Sequence, residues 1–261
     1  MKPIFSLDKI TYSYPQSTPV LSDLSIAINE GEKVSILGAN GCGKSTLLKI
    51  LAGLIFPQRG TFTAFGEKLD ARQFNGSIAK KYHRRVGFIF QDSEVQLFCS
   101  TVYEELAFGP LQLGYPPETV NQRIEELSAL LGIDKLLDHT PFKLSGGEKK
   151  KVAIGSTLIL NPDVLILDEP TNSLDPRSQA WLLNLLQELS DAGKTLIFAT
   201  HNLDLVPQVS DRAILFGEDH SIAADMPVQK LLKNVALLKQ VNLVDAHFHT
   251  HPWDFKQEAK K

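Results

Sequence analysis

The densest chemistry in the chain lies in Gly38-Ala39-Asn40-Gly41-Cys42-Gly43-Lys44-Ser45, followed by Thr46. The run reads G-x-x-x-x-G-K-S, a phosphate-binding loop. Its glycines let the backbone curl with N–H groups inward, which makes a concave anion site. Lys44 supplies a point charge for the outer phosphates, and the Ser45 hydroxyl is a magnesium ligand. Asp168 and Glu169 end the aliphatic run Val164-Leu165-Ile166-Leu167. The first suits magnesium, held directly or through water, and the second suits a general base on an attacking water. Gln91 follows Val86–Phe90, where a glutamine can ligate magnesium or orient water and, in isolation, could equally be a loop residue. His201 follows Thr195–Ala199 at the same predicted sheet edge. Together these residues predict binding of a nucleoside triphosphate.

Three further groups have a structural reading beside the chemical one. Tyr14 could stack on a purine, worth about 1–3 kcal/mol, and a half-buried strand tyrosine accounts for it equally well. Leu144-Ser145-Gly146-Gly147-Glu148 opens a helix, and Ser145 with Glu148 fits a capping box. Two glycines there are poor helix formers, so capping does not explain them; bare N–H groups at a helix start form a second anion site. Asp175 caps the next helix, with Pro176 at its first position.

The elements that must position these residues follow from hydrophobic period and breakers. Lys33–Leu37 is a short buried strand before the loop and Thr46–Ala52 a helix after it, the context that the motif requires. Strands are also expected at Phe5–Tyr14, Val20–Ile28, Gly60–Gly66, Val86–Phe90, Val164–Leu167, Thr195–Ala199 and Arg212–Phe216. Between Asp92 and Lys143 the texture becomes helical, over Thr101–Phe108 and Glu118–Leu131, with prolines at 110, 116 and 117 separating the helices. A helix from Leu144 to about Leu160 carries Lys149-Lys150-Lys151 on a solvated face. Two short helical segments around Val228 to Leu238 precede a polar tail. There is no internal repeat and no long coiled-coil stretch.

The chain has 261 residues, 43% hydrophobic and 22% charged, with a net charge of −3. That length buries a substantial core, and the acidic balance argues against a nucleic-acid partner. Cys42 and Cys99 are in no metal or disulfide spacing, which fits a reducing compartment. No signal-peptide core is expected at the N-terminus, and no apolar run approaches the roughly 20 residues that span a bilayer. A membrane role would have to come through a partner.

The ordered set Tyr14, 38–46 (GANGCGKST), Gln91, 144–148 (LSGGE), 164–170 (VLILDEP), 172–175 (NSLD) and His201 resembles the nucleotide-binding subunit of an ATP-binding-cassette (ABC) transporter. The similarity covers nearly everything from residue 4 to about 225. It implies an α/β fold: a phosphate-loop, RecA-like core with a mixed sheet, an antiparallel β part and an inserted helical subdomain. The expected division is one ABC ATPase domain over 1–261, with core segments about 1–91 and 156–225, a helical subdomain about 92–155, and C-terminal helices and tail about 226–261. It also implies ATP with Mg2+, and a head-to-tail pair of ATPase subunits, identical or paralogous. In such a pair Leu144, Ser145, Gly146, Gly147 and Glu148 grip the γ-phosphate held by the other subunit. By the same resemblance Asp175 communicates across the interface and His201 senses the γ-phosphate.

A narrower likeness, in 90–98 (FQDSEVQLF) and 101–110 (TVYEELAFGP), is to the ATPases of energy-coupling-factor importers, which take up vitamins or cobalt and nickel ions. It implies an integral membrane transport subunit, a substrate-binding membrane component, and a peripheral place on the cytoplasmic face of the cell membrane. Asp92, Glu94, Glu104 and Glu105 become candidate contacts for the membrane subunit, with a solvated face as the plain reading. His247, His249 and His251 alternate in the tail and would share one face of an extended chain, a spacing open to a transition metal. This ending resembles the cobalt and nickel branch. A vitamin importer, and a soluble cassette ATPase without a transport role, are the alternatives. DNA-repair and chromosome members of the latter kind carry a long coiled-coil insertion, for which the interval from Thr46 to Leu144 has no room.

Overall fold

The computed structural model describes residues 3–244; His247, His249 and His251 lie outside the described residues. The chain opens with antiparallel strands β1 (Pro3–Tyr12) and β2 (Leu21–Asn29), then β3 (Lys33–Leu37), helix α1 (Lys44–Leu51), and strands β4 (Arg59–Ala64) and β5 (Glu67–Leu69). Next come α2 (Gly76–Arg85), β6 (Val86–Ile89), α3 (Ser93–Gln96), α4 (Val102–Gln112), α5 (Pro117–Leu131) and α6 (Gly146–Leu158). The remainder is β7 (Val164–Asp168), α7 (Pro176–Asp191), β8 (Thr195–Ala199), α8 (Val206–Val209), β9 (Arg212–Phe216), β10 (Ile222–Pro227), α9 (Val228–Lys233) and α10 (Val235–Gln240).

Two sheets result, a four-stranded one in the order β2-β1-β4-β5 and a six-stranded one in the order β10-β9-β3-β8-β7-β6. The strand sequences explain the division. β2 alternates buried and exposed side chains, as an antiparallel strand with one wet face does. β7 and β8 are buried at every position, as parallel strands covered on both faces must be. Within β7 the side-chain period of two sends Ile166 to one side and Leu165 and Leu167 to the other. Ile166 joins a core shared by α1 and the antiparallel sheet, with Phe5, Leu24, Leu47 and Phe62. Leu165 and Leu167 join the core beneath the helices, with Leu106, Val152 and Leu182.

Parallel register fixes the site. Ile36 and Asp168 both pair with Ala199, and Ile89 pairs with Leu167. The chain segments leaving β3, β6, β7 and β8 therefore emerge side by side at one sheet edge, where ligand sites of open α/β sheets form.

Several expectations shift. Tyr14 lies beyond the end of β1, in a turn whose carbonyl accepts Ser17 N at 3.1 Å and Ser17 Oγ at 2.9 Å. Pro110 does not separate helices: it is buried in the last turn of α4, where its missing N–H removes only one helical bond. The lysines after the LSGGE run do not form a solvated face. Lys149 pairs with Glu94, Lys150 is buried, and Lys151 donates to Leu131 O at 2.8 Å and lies 4.9 Å from the centre of the Trp181 ring. α2, β5 and β10 were not anticipated. α2 buries only Tyr82 and is polar and basic over most of its length, β5 is three residues long, and β10 lies at the sheet edge.

The acidic stretch around α4 is largely committed to its own backbone. Thr101 Oγ1 accepts Glu104 N at 3.2 Å, while Glu104 Oε2 accepts Thr101 N at 3.1 Å and Ser100 N at 3.0 Å, a complete capping box. Thr101→Ala is expected to cost about 1 kcal/mol. At roughly 2–4 °C per kcal/mol for a chain of this size, a thermal melt reads that loss directly.

Candidate nucleotide site

α1 begins at Lys44 with Gly43 as N-cap and no side-chain cap, so its first-turn N–H groups lack the partner that a capping side chain gives. Gly43 sits at φ +114°, and a Cβ there would come within 2.5 Å of Val20 O, so the tight approach of loop and strand β2 admits only glycine. Gly41, at φ +82°, faces open space instead. The Lys44 ammonium donates to Gly38 O at 2.8 Å and Ala39 O at 3.1 Å, which aligns it along the loop. Cys42 is buried, and burial pushes its thiol up, so the sulfur is a packing group rather than a nucleophile.

Tyr14, Asn40, Gly41, Gly43, Lys44, Ser45, Thr46, Gln91, Asp168, Glu169 and His201 line one open cleft of about 460 Å³, together with Val20 and Asn172. That volume is in the range of small-ligand sites. The Tyr14 ring is held edge-on against Tyr12, 5.1 Å between centres, and its hydroxyl lies 3.4 Å from Thr46 Oγ1. Its position puts an aromatic surface at the loop end of the cleft. Gly38, Ala39 and Cys42 shape the loop from behind without lining the cleft.

The two carboxylates are unusual in different ways. Asp168 is buried, and its carboxyl is raised above the usual range by that burial, against the Ser45 hydroxyl bond and Lys44 and Lys49, which lower it. Glu169 adopts φ +43°, a left-handed conformation that side chains rarely take, held by Glu169 N to Ala199 O at 2.9 Å and Asn172 N to Glu169 O at 3.2 Å. His201 Nδ1 lies 2.7 Å from Glu169 Oε1. Asp168 Oδ1 and Glu169 Oε2 are buried without a protein hydrogen-bond partner. The unsatisfied Asp168 oxygen, with the Ser45 hydroxyl bonded to the same carboxylate and the Gln91 amide lining the same cleft, is a donor set that fits a hard divalent cation such as magnesium.

The LSGGE segment is elsewhere. None of residues 144–148 lines the nucleotide cleft among the described residues. Gly146 instead borders a second cleft with Gln91, Asp92, Glu94 and Ser173. Ser145 caps α6: its Oγ donates to Glu148 Oε2 at 2.7 Å, and its N–H to the same oxygen at 2.9 Å. The two glycines separate by cause. A Cβ on Gly147 would meet Ser178 Oγ at 2.5 Å, whereas a Cβ on Gly146 meets nothing within 4 Å. Packing accounts for Gly147; it does not account for Gly146. Asp175 caps α7, accepting Arg177 N at 2.9 Å and Ser178 N at 3.1 Å, and the Ser178 hydroxyl holds its carboxyl below the usual range.

Of the acidic residues singled out for partner contact, Glu105 is buried and accepts from the N–H groups of Phe98 and Cys99, so it shapes a loop rather than a surface. Asp92 caps α3 through Glu94 N at 2.8 Å. Asp92, Glu94 and Glu104 are exposed on this face, and so are the apolar side chains of Val95, Phe98 and Phe108. The residue that sequence reasoning misread is Lys150, only 2% exposed, which donates from α6 to Phe90 O and Gln91 O at 3.1 Å each. Burial lowers its ammonium to about 8, against Asp92 and Asp168, which raise it. Nothing in its local sequence separates it from its lysine neighbours.

Gly147→Ala should destabilise the fold by about 1–3 kcal/mol through the Ser178 contact. In a double-mutant cycle with Ser178→Ala read by denaturant melts, most of that loss should disappear.

The ABC transporter family profile matches residues 21–172. An ABC transporter ATP-binding protein of Methanosarcina acetivorans, whose name carries no cargo, is 51% identical over 255 residues, 96% of this chain and 92% of its own. The nickel import ATP-binding protein NikO of Rhodobacter capsulatus is 43% identical over 256 residues, 97% of this chain and all of its own. Among solved structures, cbiO1 of Clostridium perfringens, part of the ABC transporter complex cbiONQ, superposes with a TM-score of 0.79 at 32% identity, covering 93% of this chain and 96% of that one. The chain has the mixed α/β phosphate-loop fold of that relative, and it belongs to the ABC transporter family as an ATP-binding, ATP-hydrolysing subunit.

Proposed function

We propose that this chain powers a membrane importer of the energy-coupling-factor type, with nickel or cobalt ions as cargo. The nickel import relative is alike over its whole length and supports that choice of cargo. No helix among the described residues is long and apolar enough to cross a membrane, so in this reading membrane subunits carry the cargo and this chain docks on their cytoplasmic side.

The observation that carries the mechanism is the divided site. The loop, carboxylates, Gln91 and His201 share a cleft, while Gly146, just inside the Ser145 cap, keeps open space beside its Cα outside that cleft. A second ATPase subunit, placed head to tail, would bring its own Ser145, Gly146 and Gly147 over the γ-phosphate in this cleft. Tyr14 would stack on the base. The N–H groups of residues 38–46 and Lys44 would hold the outer phosphates. Ser45, Gln91 and Asp168 would hold magnesium, which when bound offsets charge on the β- and γ-phosphates. Glu169 Oε2 would take a proton from water as its oxygen attacks the γ-phosphorus, while the bond to the bridging oxygen breaks and ADP leaves. His201 steadies the other oxygen of that carboxylate at 2.7 Å and would face the γ-phosphate. Asp175 would report closure across the interface.

Glu169→Gln is expected to bind ATP and accumulate a closed dimer on gel filtration while turnover falls by about 10²–10⁴. Lys44→Ala should fail at binding. Gly146→Ala should leave the melting temperature unchanged or raised, because Ala favours the helix and meets nothing, while hydrolysis is lost. A Gly146→Ala variant with parental turnover would remove the role of that glycine. The whole reading is tested by purifying the chain from detergent-solubilised membranes and reconstituting what accompanies it. Integral membrane protein should co-purify, and vesicles should take up nickel or cobalt with ATP. Uptake of a vitamin instead changes the cargo, and recovery solely from the soluble fraction removes transport.

A further inference from the structure

The Gln91 segment is fastened to α6 at three levels. Gln96 Nε2 donates to Ala153 O at 2.8 Å, to Thr157 Oγ1 at 3.2 Å and to Ser156 Oγ at 3.3 Å. Lys149 pairs with Glu94. Between these, Lys150 reaches back to the two consecutive carbonyls of Phe90 and Gln91, at 3.1 Å each. Those carbonyls mark the point where the chain leaves β6 and turns to present Gln91 to the nucleotide cleft. A lysine buried to 2% exposure without a paired carboxylate is costly to keep charged, and backbone carbonyls are its hydrogen-bond acceptors here. Burying an amine merely to fill space would be better served by an apolar side chain. The ammonium also stands near Asp92 on the Gln91 side and Asp168 on the cleft side, each of which favours its charge.

We infer that Lys150 is a positioning residue for hydrolysis: it clamps the backbone at Phe90 and Gln91 to the helix that begins at Ser145, and so sets where the Gln91 amide stands in the cleft. This rests on the reading of Gln91 as a cleft ligand. In that arrangement the helix whose N-terminus would grip the partner's nucleotide also holds the Gln91 of its own subunit. A displacement of α6 at one nucleotide would then reach the other site through these side-chain links, Lys150 nearest Gln91, rather than through the sheet.

The test compares full-length Lys150→Met, which keeps length and loses the charge, with Lys150→Arg, which restores donors to the carbonyls, and with Gln91→Ala. Three readings are taken on each: binding of a fluorescent ATP analogue without magnesium, kcat, and the magnesium concentration at half-maximal rate. Lys150→Met should bind the analogue as the parent does, lose kcat on the order of 10- to 100-fold, and need more magnesium, in the direction of Gln91→Ala. Lys150→Arg should recover most of kcat. Parental kcat and magnesium dependence in Lys150→Met, or an arginine variant as impaired as the methionine one, would overturn the inference. So would a loss of analogue binding in step with kcat, the mark of a misfolded cleft. A Gln91→Ala variant with parental kinetics would sink the role of Gln91 and this clamp with it. Failure of Gln91→Ala beside a parental Lys150→Met would sink the clamp alone.

Discussion

The constraint on which everything else depends is the parallel register of β3, β8, β7 and β6. Ile36 and Asp168 meet at Ala199, and Leu167 meets Ile89, so the four strands end level. Each is buried over most of its length and mainly apolar, which leaves its C-terminal end as the place where clustered polar chemistry is tolerated. The phosphate loop, Gln91, Asp168-Glu169 and His201 all take that place. A slip of one residue in any pair would turn the strand's apolar side chains to the wrong layer, so burial of the core and alignment of the site are the same requirement.

At that edge the polypeptide tolerates features that would be defects elsewhere. Glu169 is held in a left-handed backbone conformation, and two buried carboxylate oxygens have no protein partner. Each costs folding free energy, of order 1–3 kcal/mol for the strain and a similar amount for a buried unsatisfied acceptor. The surrounding hydrogen bonds over-determine the geometry: Ala199 O fixes the Glu169 N–H and His201 fixes one carboxylate oxygen. What stays unsatisfied is one oxygen on each of two carboxylates that line the cleft, a preorganised negative charge of the kind proposed above to face a cation and a reacting phosphate.

The helical part is joined to the sheet by chemistry as well as by packing. Apolar side chains of α4, α5 and α6 share a core with Leu165 and Leu167. The lysines of α6 add directed bonds to Glu94, to the carbonyls at Phe90 and Gln91, and to Leu131. These bonds set the helix whose N-terminus carries the LSGGE segment in a fixed relation to the residue that leaves β6, which no apolar layer alone would specify.

By itself the sequence determined the site's membership and the kind of fold. Gly38 to Thr46, Gln91, Asp168, Glu169 and His201 were legible because each is a chemical residue ending or following a strongly apolar run, and such runs state a buried strand locally. Interactions across long sequence separations were not legible. The clamp by Lys150, the burial of Glu105 and the contact of Ser178 with Gly147 join segments that only folding brings together, and a lysine in a run of three looks solvated until a helix face is chosen for it. α2 escaped for the opposite reason: it buries only Tyr82 and is polar and basic over most of its length, so it carries too few apolar residues to stand out. The tertiary structure alone decided that Gly146 stays open while Gly147 is packed, because the difference lies in what a neighbouring helix places beside each Cα.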